Sequence, residues 1–145
     1  GGSNAGSGTD QLNKPTGLWV TESLEIYIAD QLNNRVVKWV KKEALIQWRY
    51  EKTVAGSEAG FSGSSLSLLR QPTDVGLTPD LAQIIVADTR NNRIMIWAQG
   101  ASQGSVLGTC ASPMSVSVDA QSSIFVACQT EHCIKRWDFV DGAYL

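Results

Sequence analysis

Histidine is nearly missing from this chain of 145 residues, which holds one, His132. A Ser–His–Asp relay would need that histidine oriented by a carboxylate and facing a nucleophile, and no nucleophile-elbow motif accompanies it. No Gly-rich loop ends in Lys-Ser or Lys-Thr, so a phosphate-cradling motif is missing as well. The charge balance is slightly acidic: 12 Lys and Arg stand against 14 Asp and Glu, a formal net charge of -2. That balance argues against a broad phosphate-binding surface, which needs clustered cations. The one adjacent basic pair, Lys41 and Lys42, reads as a solvated loop. No apolar run reaches the length of a membrane span. No charged-then-apolar leader opens the chain, so a signal peptide is expected to be absent or removed.

What is present is the composition of a globular chain, 43% hydrophobic and 18% charged, long enough for one ordinary domain with a core. Thirteen Gly and frequent Ser mark many turns. Three lines of sequence repeat one frame: LNKPTGLWVTESLEIYIADQLNNRVVKW, LRQPTDVGLTPDLAQIIVADTRNNRIMIW and CASPMSVSVDAQSSIFVACQTEHCIKRW. Pro15, Pro72 and Pro113 head the three units, 57 and 41 residues apart. The difference lies in the connections, since surface loops accept insertions at small cost.

Each unit reads as short strands. TGLWV, TDVGL and MSVSV follow the prolines; IYIA, IIVA and IFVA are β-branched or aromatic runs of strand length. RVVKW, RIMIW and CIKRW supply third strands, and ALIQWRYEKTVAG and SQGSVLG fourth strands. No stretch carries a capped helical period. The expected class is all-β, with four antiparallel strands per unit. Residues 12–56, 69–108 and 109–145 form the units, the last without a complete fourth strand. Residues 57–68 form a long connection, and residues 1–11 the tail of a preceding unit or a connecting loop. The first eight residues read as a native loop, with the chain starting inside a repeat.

The Pro-headed first strand, the YIAD or IVAD second strand and the NNR that follows resemble the NHL-repeat family, over nearly the whole chain. That resemblance implies β-propeller blades, one per unit, and most often a six-bladed ring. Three units would complete such a ring with further units or a second copy. The third unit departs from the frame at both charges and both Asn positions. Propeller enzymes similar to this family, such as the amidating lyase, depend on metal-binding histidines that this chain does not supply.

In the first two units Asp30 and Arg35, and Asp88 and Arg93, flank one hairpin and are expected to pair across it, about 4.5–5.5 Å apart at Cβ. The third unit has Cys128 and Cys133 at these positions. The same separation suits a disulfide, so a Cys128–Cys133 bridge is expected to replace the ionic clip, leaving Cys110 as a free thiol or a partner for another chain. Two unpaired buried cysteines remain the alternative. Zinc on Cys128, His132 and Cys133 is disfavoured, because adjacent residues of a tight hairpin point to opposite faces. A persistent disulfide favours an extracellular or secreted setting.

Propeller topology gathers the turns between second and third strands on one face. The candidate binding residues are therefore Gln31, Leu32, Asn33, Asn34, Thr89, Arg90, Asn91, Asn92, Gln129, Thr130, Glu131 and His132. Phe61 and Arg70 join them from the long connection. Phe61, Leu66 and Leu68 are expected to tuck against the next blade rather than stand free. Asp74, Asp119 and Glu22 lie near first strands and read as hydrogen-bonded structure. Trp39, Trp97 and Trp137 recur and read as blade packing; Trp19 and Trp48 do not recur and are weaker binding candidates. No catalytic residue, metal or cofactor is expected. The expected function is a non-enzymatic scaffold that binds a protein or small ligand on the loop face, as a homo-oligomer or against further blades, with no membrane partner. Its alternatives are an RNA-binding module, or a piece of a propeller hydrolase or lyase whose active residues lie elsewhere.

Overall fold

A computed structural model describes residues 4–42 and 47–145. Residues 44–46, expected to open a fourth strand, and the first three residues of the chain lie outside the described set.

The first blade is β1 (Pro15–Val20), β2 (Ile26–Asp30), β3 (Arg35–Lys42) and β4 (Gln47–Gly56), hydrogen-bonded in chain order. The second is β5 (Asp74–Leu77), β6 (Gln83–Asp88), β7 (Arg93–Ala98) and β8 (Ser105–Thr109). The third has three strands, β9 (Pro113–Val118), β10 (Ile124–Cys128) and β11 (Cys133–Trp137). A separate two-stranded ribbon, β12 (Phe139–Val140) with β13 (Ala143–Tyr144), follows it. All named strand pairs are antiparallel. Lys41 and Lys42 fall in β3, paired with Trp48 and Gln47, rather than in a loop. The β-branched run before them extends the strand.

Alternation along the strands explains where the core lies. Neighbouring residues of a strand face opposite sides of the sheet. Met95 and Trp97 of β7 join a cluster with Tyr27, Val36, Ala55 and Leu69, which seals blade one to blade two. Ile94 and Ile96, one residue out of phase, join Val116, Ile124, Val126 and Cys128 and seal blade two to blade three. Each such fully buried aliphatic side chain contributes about 1.5–3 kcal/mol. The first strands approach closely at Gly17, where a Cβ would stand 2.7 Å from the Asp74 Cα.

The connection between second and third strands is a 3-10 turn in the first two units and a plain turn in the third, closed in each by a residue in the left-handed region. Asn34, Asn92 and His132 hold that position, at φ 52°, 53° and 54°. Asn accepts this conformation because its short polar side chain bonds locally. A second left-handed position precedes each unit's proline, at Lys14, Gln71 and Ser112. Such angles are uncommon for residues with a Cβ. At two of these positions the neighbouring blade holds the turn: the Gln71 N–H donates to Asn34 Oδ1 at 3.0 Å, and the Ser112 N–H to Asn92 Oδ1 at 2.9 Å.

Candidate functional site

The repeated Asp and Arg are buried and tied down on every side. Asp30 Oδ2 accepts from Arg35 Nε at 2.9 Å and from Asn33 Nδ2 at 2.8 Å, while Oδ1 accepts from the Asn13 N–H at 2.7 Å. Asp88 repeats the set with Arg93, Asn91 and the Arg70 N–H at 2.7, 2.8 and 2.7 Å. The guanidiniums then donate to backbone carbonyls of the loop entering the blade. Arg93 reaches Ser64, Ser65 and Leu68; Arg35 reaches Gly8 and Gln11, and Glu58 from the connection after β4. Residues 4–12 and 61–69 are therefore matching cradles, a role for the Ser/Gly loops that composition does not reveal. These groups spend their hydrogen-bonding capacity on the fold. Both Asn33 and Asn91 belong to the clamp as well.

Unit three lacks the long entry loop, and its chemistry changes with it. The expected Cys128–Cys133 disulfide is not the one formed. Cys128 lies directly opposite Cys133 in the β10–β11 register, yet its sulfur is bonded to Cys110, and Cys133 is a free, exposed thiol. The reason lies in the second tie of the aspartate. Asp30 and Asp88 hold both the hairpin arginine and the entering segment, and Cys128 replaces the second of these ties. Cys110 occupies the position of the fully buried Leu69, three residues before the unit's proline, and is itself buried. The Ala111 N–H, left without its aspartate, donates instead to Glu131 Oε1 at 2.6 Å. Lys135 Nζ sits 2.6 Å from Glu131 Oε2, and this ammonium holds the Glu131 carboxyl below its usual range. Donor atoms of Cys128, Glu131 and Cys133 lie within 4.8 Å of one another. The Cys128 sulfur is engaged in the disulfide and offers no thiolate to a metal.

Of the candidate binding residues, Gln31, Thr89, Arg90 and Gln129 meet at one cleft of ≈ 360 Å³. Lys14, Gln71, Thr73, Ser112 and Met114 complete it, and sequence reasoning missed all five. Their signal was positional, since Lys14, Gln71 and Ser112 stand immediately before the three prolines. Thr89 is buried and hydrogen-bonded to Thr73 and the Pro113 carbonyl, so it shapes the cleft rather than offering a free group. Asn34 and Asn92 link blades. Leu32, Thr130 and His132 are exposed outside this lining. Phe61 and Leu66 do not tuck against the next blade: they are 69% and 42% exposed, while Leu68 is half-buried. The loop's backbone carbonyls face the Arg93 guanidinium and fix its course, and Phe61 is left on the outside. Arg70 is exposed near Arg90, whose N–H donates to the Arg70 carbonyl.

Trp39 and Trp97 are buried and Trp137 half-buried. Trp39 and Trp48 line a cleft of ≈ 480 Å³ with Thr9, Asp10 and Tyr50, and the buried Trp39 Nε1–H has no partner among the described residues. Trp19 lines another with Pro79 and Leu81. Asp74 Oδ2 accepts from the Ser115 hydroxyl and the Val116 N–H, tying first strands together, while Asp119 caps its own turn.

Three consecutive antiparallel sheets, packed face to face with their hairpin turns at one end, define blades of a β-propeller. No family profile matches the chain, and no curated protein matches it. Solved structures do resemble it. One is a functionally unknown protein from Desulfotomaculum acetoxidans DSM 771, at TM-score 0.64 and 17% identity, matched over 90% of this chain and 40% of that one. Another is a catalytically inactive virginiamycin B lyase from Staphylococcus aureus with quinupristin, at TM-score 0.53 and 11% identity over 94% of this chain and 43% of that one. At these identities the likeness is one of fold. The chain spans about two fifths of the length of these neighbours.

Proposed function

We propose that the chain is a non-enzymatic assembly scaffold of the NHL type, working in an oxidising, extracellular setting. Blade three docks against a further blade of the same chemistry, supplied by a second copy, and the hairpin-turn cleft serves as its binding face for a protein or small ligand. One observation carries this reading. The strand position that faces the following blade is fully buried at Val36 and Ile94, yet 67% exposed at Ile134. Phe125, equivalent to the buried Tyr27 and Ile85, is likewise only half-buried. An apolar face built to the same pattern as two sealed ones favours a similar partner. The Cys110–Cys128 disulfide supports the oxidising setting. No helix among the described residues is long and apolar enough to cross a membrane.

Light scattering over a concentration series tests the assembly. The expected particle has twice the chain mass of 15.7 kDa, and Ile134→Asp should return it to single chains. A wild-type particle of single-chain mass at every concentration would overturn the reading.

A further inference from the structure

We propose that Cys110, Cys128 and Cys133 form a thiol–disulfide exchange site in which the exposed Cys133 attacks the Cys110–Cys128 bond at Cys128. Three observations support it. Cys133 is the directly opposed partner of Cys128 across β10 and β11. Side chains at these same two positions touch in the other blades, where Asp30 meets Arg35 at 2.9 Å and Asp88 meets Arg93 at 2.7 Å. The sulfurs of Cys128 and Cys133 lie within 4.8 Å of each other. Cys128 thus has two neighbours placed for a disulfide, since Cys110 stands 5.4 Å away at Cα and a directly opposed strand residue falls in the range such bonds need.

The step needs no outside oxidant or reductant. The Cys133 thiol gives its proton to solvent, and its sulfur electron pair forms a bond to Cys128 Sγ. The Cys128–Cys110 bond breaks, and Cys110 leaves as a thiolate that takes up a proton. One disulfide is consumed and one formed. Asymmetry of exposure gives the site a direction: Cys133 is open to solvent, whereas Cys110 and Cys128 are buried. Exchange therefore moves the free thiol from the surface to the buried position and unpins the segment entering β9. It leaves a cross-strand bridge where the other blades hold their ion pair.

Thiol mapping on the wild-type chain tests the proposal. Purified protein is held without reductant at about pH 8.5, near the ordinary thiol value, for minutes to hours and then quenched in acid. Free thiols are alkylated with N-ethylmaleimide and located in a non-reducing digest. Labelling of Cys110 should rise about tenfold or more above a Cys133→Ser control. A second arm uses Cys110→Ser with oxidised glutathione, where an intramolecular Cys128–Cys133 bridge is expected. Label confined to Cys133 at all times in the wild type would overturn the proposal. So would a folded Cys110→Ser chain that gives only glutathione adducts.

Discussion

A carboxylate with no exposure, such as Asp88, is tolerable only because every lone pair that matters has a donor. Its three donors come from the hairpin, the turn and the entering loop. Removing one charge of a buried pair costs more than the pair contributes, because the other charge stays buried. Asp88→Ala should therefore lower unfolding free energy by about 3–5 kcal/mol, measured by urea titration. A loss below 1 kcal/mol would mean that solvent reaches the Arg93 guanidinium. The charged frame was legible in the sequence as a pair. Its third and fourth members were not, because the N–H of residue 70 and the loop carbonyls are backbone groups that no residue identity announces.

Glu58 extends the same clamp. Its backbone carbonyl accepts from Arg35 and its carboxylate from the Tyr50 hydroxyl. Burial works to raise the Glu58 pKa, but hydrogen bonds from Thr53 and Tyr50 outweigh it and hold the carboxyl below its ordinary value of 4.5. A depressed folded value means that its stabilisation is present above the ordinary value and lost as pH falls through the folded one. Glu58→Gln should lower the Tm modestly at pH 7, where the carboxylate's contribution is fully present, and flatten the fall of stability below about pH 4.5. An acid limb as steep as the wild type's would exclude this carboxylate from the linkage.

At the scale of elements, strands were the most readable feature. Ile, Val and aromatic runs of five or six residues between turn signals leave few alternatives to a sheet. The cysteine pairing was not legible, because Asp30 is tied not only to Arg35 across the hairpin but also to the Asn13 N–H of the entering segment. Cys110, set in a position that is leucine in the other units, took the role of the second. The bridge closes a span of 18 residues between the entering segment and the hairpin. In the chain-entropy account a loop of that size is worth about 3 kcal/mol. In a Cys133→Ser background, where the pairing cannot shift, reduction should lower stability by that amount in guanidinium titrations. An unchanged midpoint would mean that the entering segment is held by its hydrogen bonds alone.

At the scale of the whole molecule, stability is a sum over interfaces between neighbouring blades, as in other repeat proteins. Residues 94 and 95 separate the two interfaces within one strand, since Ile94 faces blade three and Met95 faces blade one, and neither is exposed. Truncating either to alanine should cost about 2–5 kcal/mol, and the location of the damage should differ. In native-state hydrogen exchange, Met95→Ala should speed exchange through β2 and β3 while sparing β9 and β10. Ile94→Ala should do the reverse, because the lost contacts belong to opposite faces of β7. Were both variants to raise exchange uniformly, the three blades would be a single cooperative unit. The open flank at Ile134 would then influence the far side of blade one as strongly as its own sheet, so covering it with a second copy should slow exchange throughout the molecule. Under the nearest-neighbour account, that protection should stop at blade three.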